Sequence, residues 1–193
     1  MSDKRPKILK AAEDLFAAGR YHEVTLDDIC DTAHVGKGTI YRYFEDKEDL
    51  YYQVILSGLD ELVESAQEVA RADEDPRSGL RHVVHCITDF FVKRRALFRL
   101  MHSEELRGSS RKRELWKQWR GKTNALVDVL AEFIEKGIEA GVYRTDFPPR
   151  AAARMLKGMM RVAARHREEM PGGKEWPSAI VDLFEKGIAT DDA

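Results

Sequence analysis

The chain has 193 residues, 43% hydrophobic and 34% charged, enough for one or two domains with a real core. A formal net charge of −2 excludes a generally basic nucleic-acid coat, so any DNA contact must come from a local patch. No apolar run approaches the roughly 20 residues that cross a bilayer, and MSDKRPKILKAAEDLF lacks a secretory h-region, which predicts a cytoplasmic protein with no membrane partner.

Helical periods recur along the whole chain and β alternation hardly at all, predicting an all-α fold of about nine helices. From Lys7 onward Ile8, Ala12, Leu15 and Phe16 form one apolar stripe, with Gly19 placed to cap the C-terminus. Thr25 reads as the N-cap of a short second helix, with Asp28 at N3 and Leu26, Ile29, Cys30 and Ala33 on one face. After the tight connection His34-Val35-Gly36, a third short helix runs from Lys37 to about Phe44. With Gly36 as its N-cap, Val35 and Ile40 stand at N′ and N4, the spacing of a hydrophobic staple. Asp46 can cap a long fourth helix carrying Leu50, Val54, Ile55, Leu59, Leu62 and Val63 to about Arg71. Helices are predicted beyond it near 79–95, 97–106, 111–140, 149–168 and 175–189, separated by Gly- and Pro-containing breaks. The organisation is a three-helix head, residues 1–46, and a larger helical body, residues 47–193. Cys30 and Cys86 lie in amphipathic patterns and read as reduced packing thiols.

The third helix is the oddest element. At about 100° per residue, Ile40 and Phe44 share the buried side, while Gly38, Thr39 and Arg42 lie opposite them. Lys37 and Tyr41 occupy one flank and Tyr43 the other. Gly38 costs the helix about 1 kcal/mol against Ala, an expense understandable where another surface must meet the backbone. Thr39 and Arg42 could reach base edges, and Lys37, Tyr41 and Tyr43 phosphates. Lys47, at N1 of the fourth helix, stands where the macrodipole disfavours a cation but where a phosphate could bind. The pattern reads as a helix-turn-helix with its third helix in the major groove; the competing reading makes the glycines a loop and the tyrosines a lid on the core.

The run TLDDICDTAHVGKGTIYRYF, Thr25 to Phe44, followed by Asp46-Lys47-Glu48-Asp49-Leu50, closely resembles the DNA-binding signature of TetR-family transcriptional regulators. By position the resemblance implies DNA contacts at Thr25, Lys37, Gly38, Thr39, Tyr41, Tyr43 and Lys47. Arg42 falls at a variable position, so its part in base choice rests on the helix face alone. The resemblance also implies a homodimer joined by the last two long helices, and a small-molecule pocket in the body. On helical spacing the interface candidates are Ala152, Met155, Met159 and Ala163 on one stripe and Ile180 and Phe184 on the next, although both stripes could complete a monomer core. The pocket candidates are Phe90, Phe91, Met101, His102 and Trp119, the mixture of apolar and polar groups that lines ligand sites. His82, His85 and Cys86 do not make a complete metal shell, and no metal or other cofactor is expected.

Two function classes follow. One is a ligand-responsive regulator, a repressor by resemblance, that binds a near-palindromic operator as a dimer and is released by a small apolar or amphipathic effector. The other is an all-helical enzyme or adaptor carrying a helix-turn-helix. Without a G-x-S-x-G elbow, a P-loop or a strand-borne G-x-G-x-x-G, no catalytic residue is nominated.

Overall fold

The computed structural model describes residues 3–101, 113–170 and 175–189. Among them nine α-helices follow in order: α1 (Arg5–Ala18), α2 (Leu26–Ala33), α3 (Lys37–Tyr43), α4 (Lys47–Arg71), α5 (Pro76–Lys93), α6 (Arg95–Met101), α7 (Arg113–Glu139), α8 (Pro149–Arg165) and α9 (Trp176–Ile188). None of the described helices is long and apolar enough to cross a membrane. They group into two compact units, Met1–Asp60 with Arg94–Gly121, and Glu61–Lys93 with Lys122–Ala193.

The first unit is built on the apolar stripe of α1. Ile8, Ala12 and Phe16 are buried, together with Ile29 and Ala33 of α2, Ile40 of α3, Leu50 and Ile55 of α4 and Leu97 of α6. Phe16 and Tyr21 each meet Tyr51 edge to ring, with centroids 5.0 and 4.9 Å apart, and lie tilted to one another at 5.7 Å. Arg99 of α6 donates to the Ala17 carbonyl at 2.8 Å, and Arg94 pairs with the buried Glu13 of α1.

The second unit packs α5, α8 and α9 against one another and against α7 through Leu80, Val83, Val84, Leu130, Phe133, Leu156, Met160, Val181 and Phe184, all buried. The Phe133 ring fills the space that a side chain at Gly79 would need, and the Tyr143 ring does the same at Gly137. The Tyr143 hydroxyl donates to Glu185 at 2.8 Å, and Arg81 bridges Glu185 and Asp182. Burial, then the Glu185 carboxylate, keeps that phenol protonated far above its ordinary range.

Several predicted boundaries move for local reasons. Gly19 ends α1 in extended backbone, φ −118°, and the left-handed helix end falls instead on His34, φ 52° and ψ 50°. There the His34 N–H donates to Asp31 and the Val35 N–H to Cys30, the Schellman pairing that lets the chain turn sharply into α3. α5 starts at Pro76 rather than near residue 79, because the Asp75 carboxylate accepts from the Ser78 N–H at 2.7 Å and proline suits a first helical position. α6 begins two residues earlier than predicted, at Arg95, and its predicted extension beyond Met101 and the first two predicted residues of α7, 111–112, lie outside the described residues. α8 stops at Arg165, and Arg167–Glu169 forms a 3-10 turn in place of its predicted last residues.

The interface candidates divide by burial. Ala152, Ala163, Ile180 and Phe184 are buried within the chain itself, so their side chains are committed to the packing of α8 and α9 in the second unit. Of the named set, Met155 is 59% exposed and Met159 half-buried.

Candidate nucleic-acid interface

α2 exists because its first turn is closed from both sides. The Thr25 hydroxyl accepts from the Asp28 N–H at 3.1 Å, and the Asp28 carboxylate accepts from the Thr25 N–H at 2.8 Å and from its hydroxyl at 2.7 Å. Those bonds hold the Asp28 carboxyl below the usual aspartate range. Thr25, expected at DNA, is thus first of all the cap that sets the start of α2 and, through α2, the approach to α3.

α3 begins at Gly36 in extended backbone, and its N4 residue Ile40 is fully buried. Phe44, just after the helix, is also buried, with the Arg5 guanidinium 5.7 Å from its ring centroid. Burying each of these side chains contributes about 1.5–3 kcal/mol, enough to pin a seven-residue helix that would not persist alone. α4 is capped by Asp46, whose carboxylate accepts from the Asp49 N–H at 2.7 Å, while the Asp49 carboxylate accepts from the Glu45 N–H at 3.0 Å, one residue before the cap.

With its apolar side fixed inward, α3 presents Lys37, Gly38, Tyr41 and Arg42 to solvent, with Thr39 and Tyr43 half-exposed. A Cβ placed on Gly36 or Gly38 would meet nothing within 4 Å, so nothing among the described residues requires either residue to be glycine. Arg42 lies over its neighbour's ring, 5.1 Å from the Tyr43 centroid, which keeps the guanidinium on the exposed side. Lys37 is paired with Asp27 at 2.8 Å, and that hydrogen bond raises its pKa above the ordinary lysine value. Both partners are more than half exposed, and a pair so screened by solvent yields readily to a phosphate.

Lys47 behaves differently. Its ammonium donates to the Tyr21 carbonyl at 3.0 Å and the Val24 carbonyl at 2.9 Å, and sits 4.4 Å from the Tyr21 ring centroid. These acceptors offset the macrodipole penalty of a cation at N1 and tie the α1–α2 connection to the start of α4. Its spacing of more than twenty residues from those carbonyls is why no sequence motif revealed it. Behind the C-terminal end of α3 an open cleft of about 500 Å³ is lined by Tyr41, Arg42, Tyr43 and the carboxylates of Glu45, Asp49 and Glu114, a setting that repels phosphate.

The expected pocket residues belong to both units. Phe90 and Phe91 meet edge to face at 5.8 Å in the second unit, Trp116 and Trp119 stack at 4.6 Å in the first, Met101 is buried in the first, and His102 lies outside the described residues. His82 binds Asp73 at 2.8 Å and His85 binds Ser178 at 2.9 Å, and among the described residues no cluster of three potential metal ligands occurs.

Comparison with known proteins agrees with this geometry. Residues 8–54 match the family described as "Bacterial regulatory proteins, tetR family", and residues 73–165 match "Tetracyclin repressor-like, C-terminal domain". The chain is 24% identical over 191 residues to the HTH-type transcriptional regulator YhgD of Bacillus subtilis, covering 98% of each. It is 25% identical over 190 residues to the HTH-type transcriptional repressor KstR2 of Rhodococcus jostii, covering 96% of this chain and 87% of that one. It shares its fold with the FadR regulator of Bacillus subtilis solved in complex with stearoyl-CoA, at a TM-score of 0.80, 20% identity and coverage of 94% and 98%. Family match, capped helix-turn-helix and outward basic face converge: the chain belongs to the TetR family and is a helix-turn-helix transcriptional regulator, not an enzyme.

Proposed function

We propose that the protein is a ligand-responsive repressor that binds a near-palindromic operator as a homodimer and is released by a small apolar or amphipathic effector. Residues 1–46 carry the operator contacts, and residues 47–193 the effector and dimer functions. The observation that carries this reading is the outward face of α3, where Lys37, Tyr41 and Arg42 surround a glycine whose missing side chain answers no need among the described residues. Thr39 and Arg42 read base edges, and Lys37, Tyr41 and Tyr43 hold phosphates. The side chains supporting dimerisation are Met155 and Val162 of α8 and Leu183 of α9, 55 to 62% exposed on two helices that pack together. For the effector, the support comes from the relatives: one of similar fold holds stearoyl-CoA, a long apolar chain with a charged end.

The test is salt-dependent binding to the DNA upstream of the protein's own gene, followed by titration with acyl thioesters and other amphipathic compounds. Wild type should bind with a steep salt slope, and Lys37→Ala with Tyr41→Ala should lose both affinity and slope. Operator affinity unchanged in that double variant would remove α3 from the groove. An effector that releases operator must itself bind more weakly to the DNA complex, by the same factor.

A further inference from the structure

Several charged side chains of the second unit are paired. Arg81 holds Asp182 and Glu185, Arg150 holds Asp128, and His82 holds Asp73. The rest of α8 departs from this habit. Arg150, Arg154, Lys157, Arg161 and Arg165 succeed one another at intervals of three or four residues, within an arc of about 80° and over about 22 Å of helix. Beyond Arg150, none of them meets a carboxylate among the described residues.

Lys157 is the focus of the stripe. It is half-buried, with its ammonium donating one long hydrogen bond, 3.4 Å, to the Thr123 carbonyl of α7. Desolvation first, then the charges of Arg161 and Arg154, push its pKa below the ordinary lysine range. A cation withdrawn from water and set between two further cations is an environment that an anion relieves on every count. The two guanidiniums, one turn to either side, offer forked donors suited to phosphate oxygens.

We propose that this face of α8 is an anion site for a phosphate-bearing small molecule, with Lys157 at its centre and Arg154 and Arg161 as the flanking grips. The site is argued from the side chains of α8 and α7 alone and stands whether or not the apolar effector exists. Its ligand is either a free oligophosphate or the phosphorylated end of a larger organic molecule, and one measurement separates these.

The experiment is calorimetric titration of the full-length protein, without DNA, with inorganic tripolyphosphate and with coenzyme A. Both probes should bind with salt-dependent affinity, because an anion neutralises the charges that Arg154, Lys157 and Arg161 hold together. Lys157→Met should weaken binding roughly tenfold or more, the scale of one charge-assisted hydrogen bond. It removes a desolvated charge, so it should fold at least as well as wild type and bind operator equally in the absence of phosphate. Arg161→Gln should also weaken binding and lower its salt dependence. Coenzyme A binding much more tightly than tripolyphosphate identifies the phosphorylated end of a larger ligand, and equal affinity identifies the phosphate group itself. No heat with either probe, or equal binding by Lys157→Met, overturns the proposal. So does a Lys157→Met protein whose self-association changes while phosphate binding is absent, for then the missing anion is a carboxylate of a second copy.

Discussion

Gly38 in α3 and Gly79 in α5 are both helical glycines, and they are glycines for opposite reasons. A side chain at Gly79 would strike the Phe133 ring, and one at Gly137 the Tyr143 ring, so in the second unit bare backbone is a seat for an aromatic. At Gly38 an added Cβ meets only open space. The helix bears a cost of about 1 kcal/mol there with no packing gain to offset it. The same residue type thus signals core packing in one region and an external partner in the other, and what distinguishes them is whether the chain itself fills the void.

A large effect is expected at the filled seats. Gly79→Ala and Gly137→Ala should each lower unfolding stability by about 1–3 kcal/mol through overpacking, read as a reduced urea midpoint, while the folded protein keeps its operator affinity. A midpoint equal to wild type would show that the rings move aside freely and that the seats are not tight.

The two lysines of the head divide along the same line. Lys47→Ala removes two hydrogen bonds from a charged donor and should cost about 1.5–3 kcal/mol of stability. Lys37→Ala should leave stability nearly unchanged and flatten the plot of log affinity against log salt by about 0.9, the value of one phosphate contact. The reverse assignment of these phenotypes would return Lys47 to the DNA and Lys37 to the scaffold. Gly38→Ala should then do two things at once, raising helix stability by up to about 1 kcal/mol and weakening operator binding. A variant that is more stable and binds equally well would leave the open glycine without a partner.

The smallest effect is the cap of α2. Thr25→Ala should cost about 1 kcal/mol at neutral pH. Because the folded Asp28 carboxyl titrates below its ordinary value, its share of the box is present above about pH 4 and lost as pH falls through the folded pKa. The stability gap between wild type and Thr25→Ala should therefore narrow in acid, and a gap constant with pH would detach the carboxylate from the cap.

The head was legible in sequence because its determinants are local. Thr25 and Asp28 are three residues apart, Asp46 and Asp49 likewise, and Ile40 and Phe44 fall on one helical face. What escaped was contact across long stretches of chain, above all Lys47 reaching back to Tyr21 and Val24. His34 escaped for another reason: a left-handed helix end usually announces itself by glycine, and here a histidine adopts it. In α8, apolar residues occupy more than one face, so periodicity alone could not divide Ala152 and Ala163, which the chain buries, from Met155 and Val162, which it leaves outside.

The tether from Lys47 makes one cooperative element out of two stretches separated in sequence. Neither the Tyr21–Val24 turn nor the first turn of α4 can open without stranding the other's polar groups. In native-state hydrogen exchange, the amides of Val24 and Leu50 should accordingly share one opening free energy, set by the loss of the whole head rather than by local fraying.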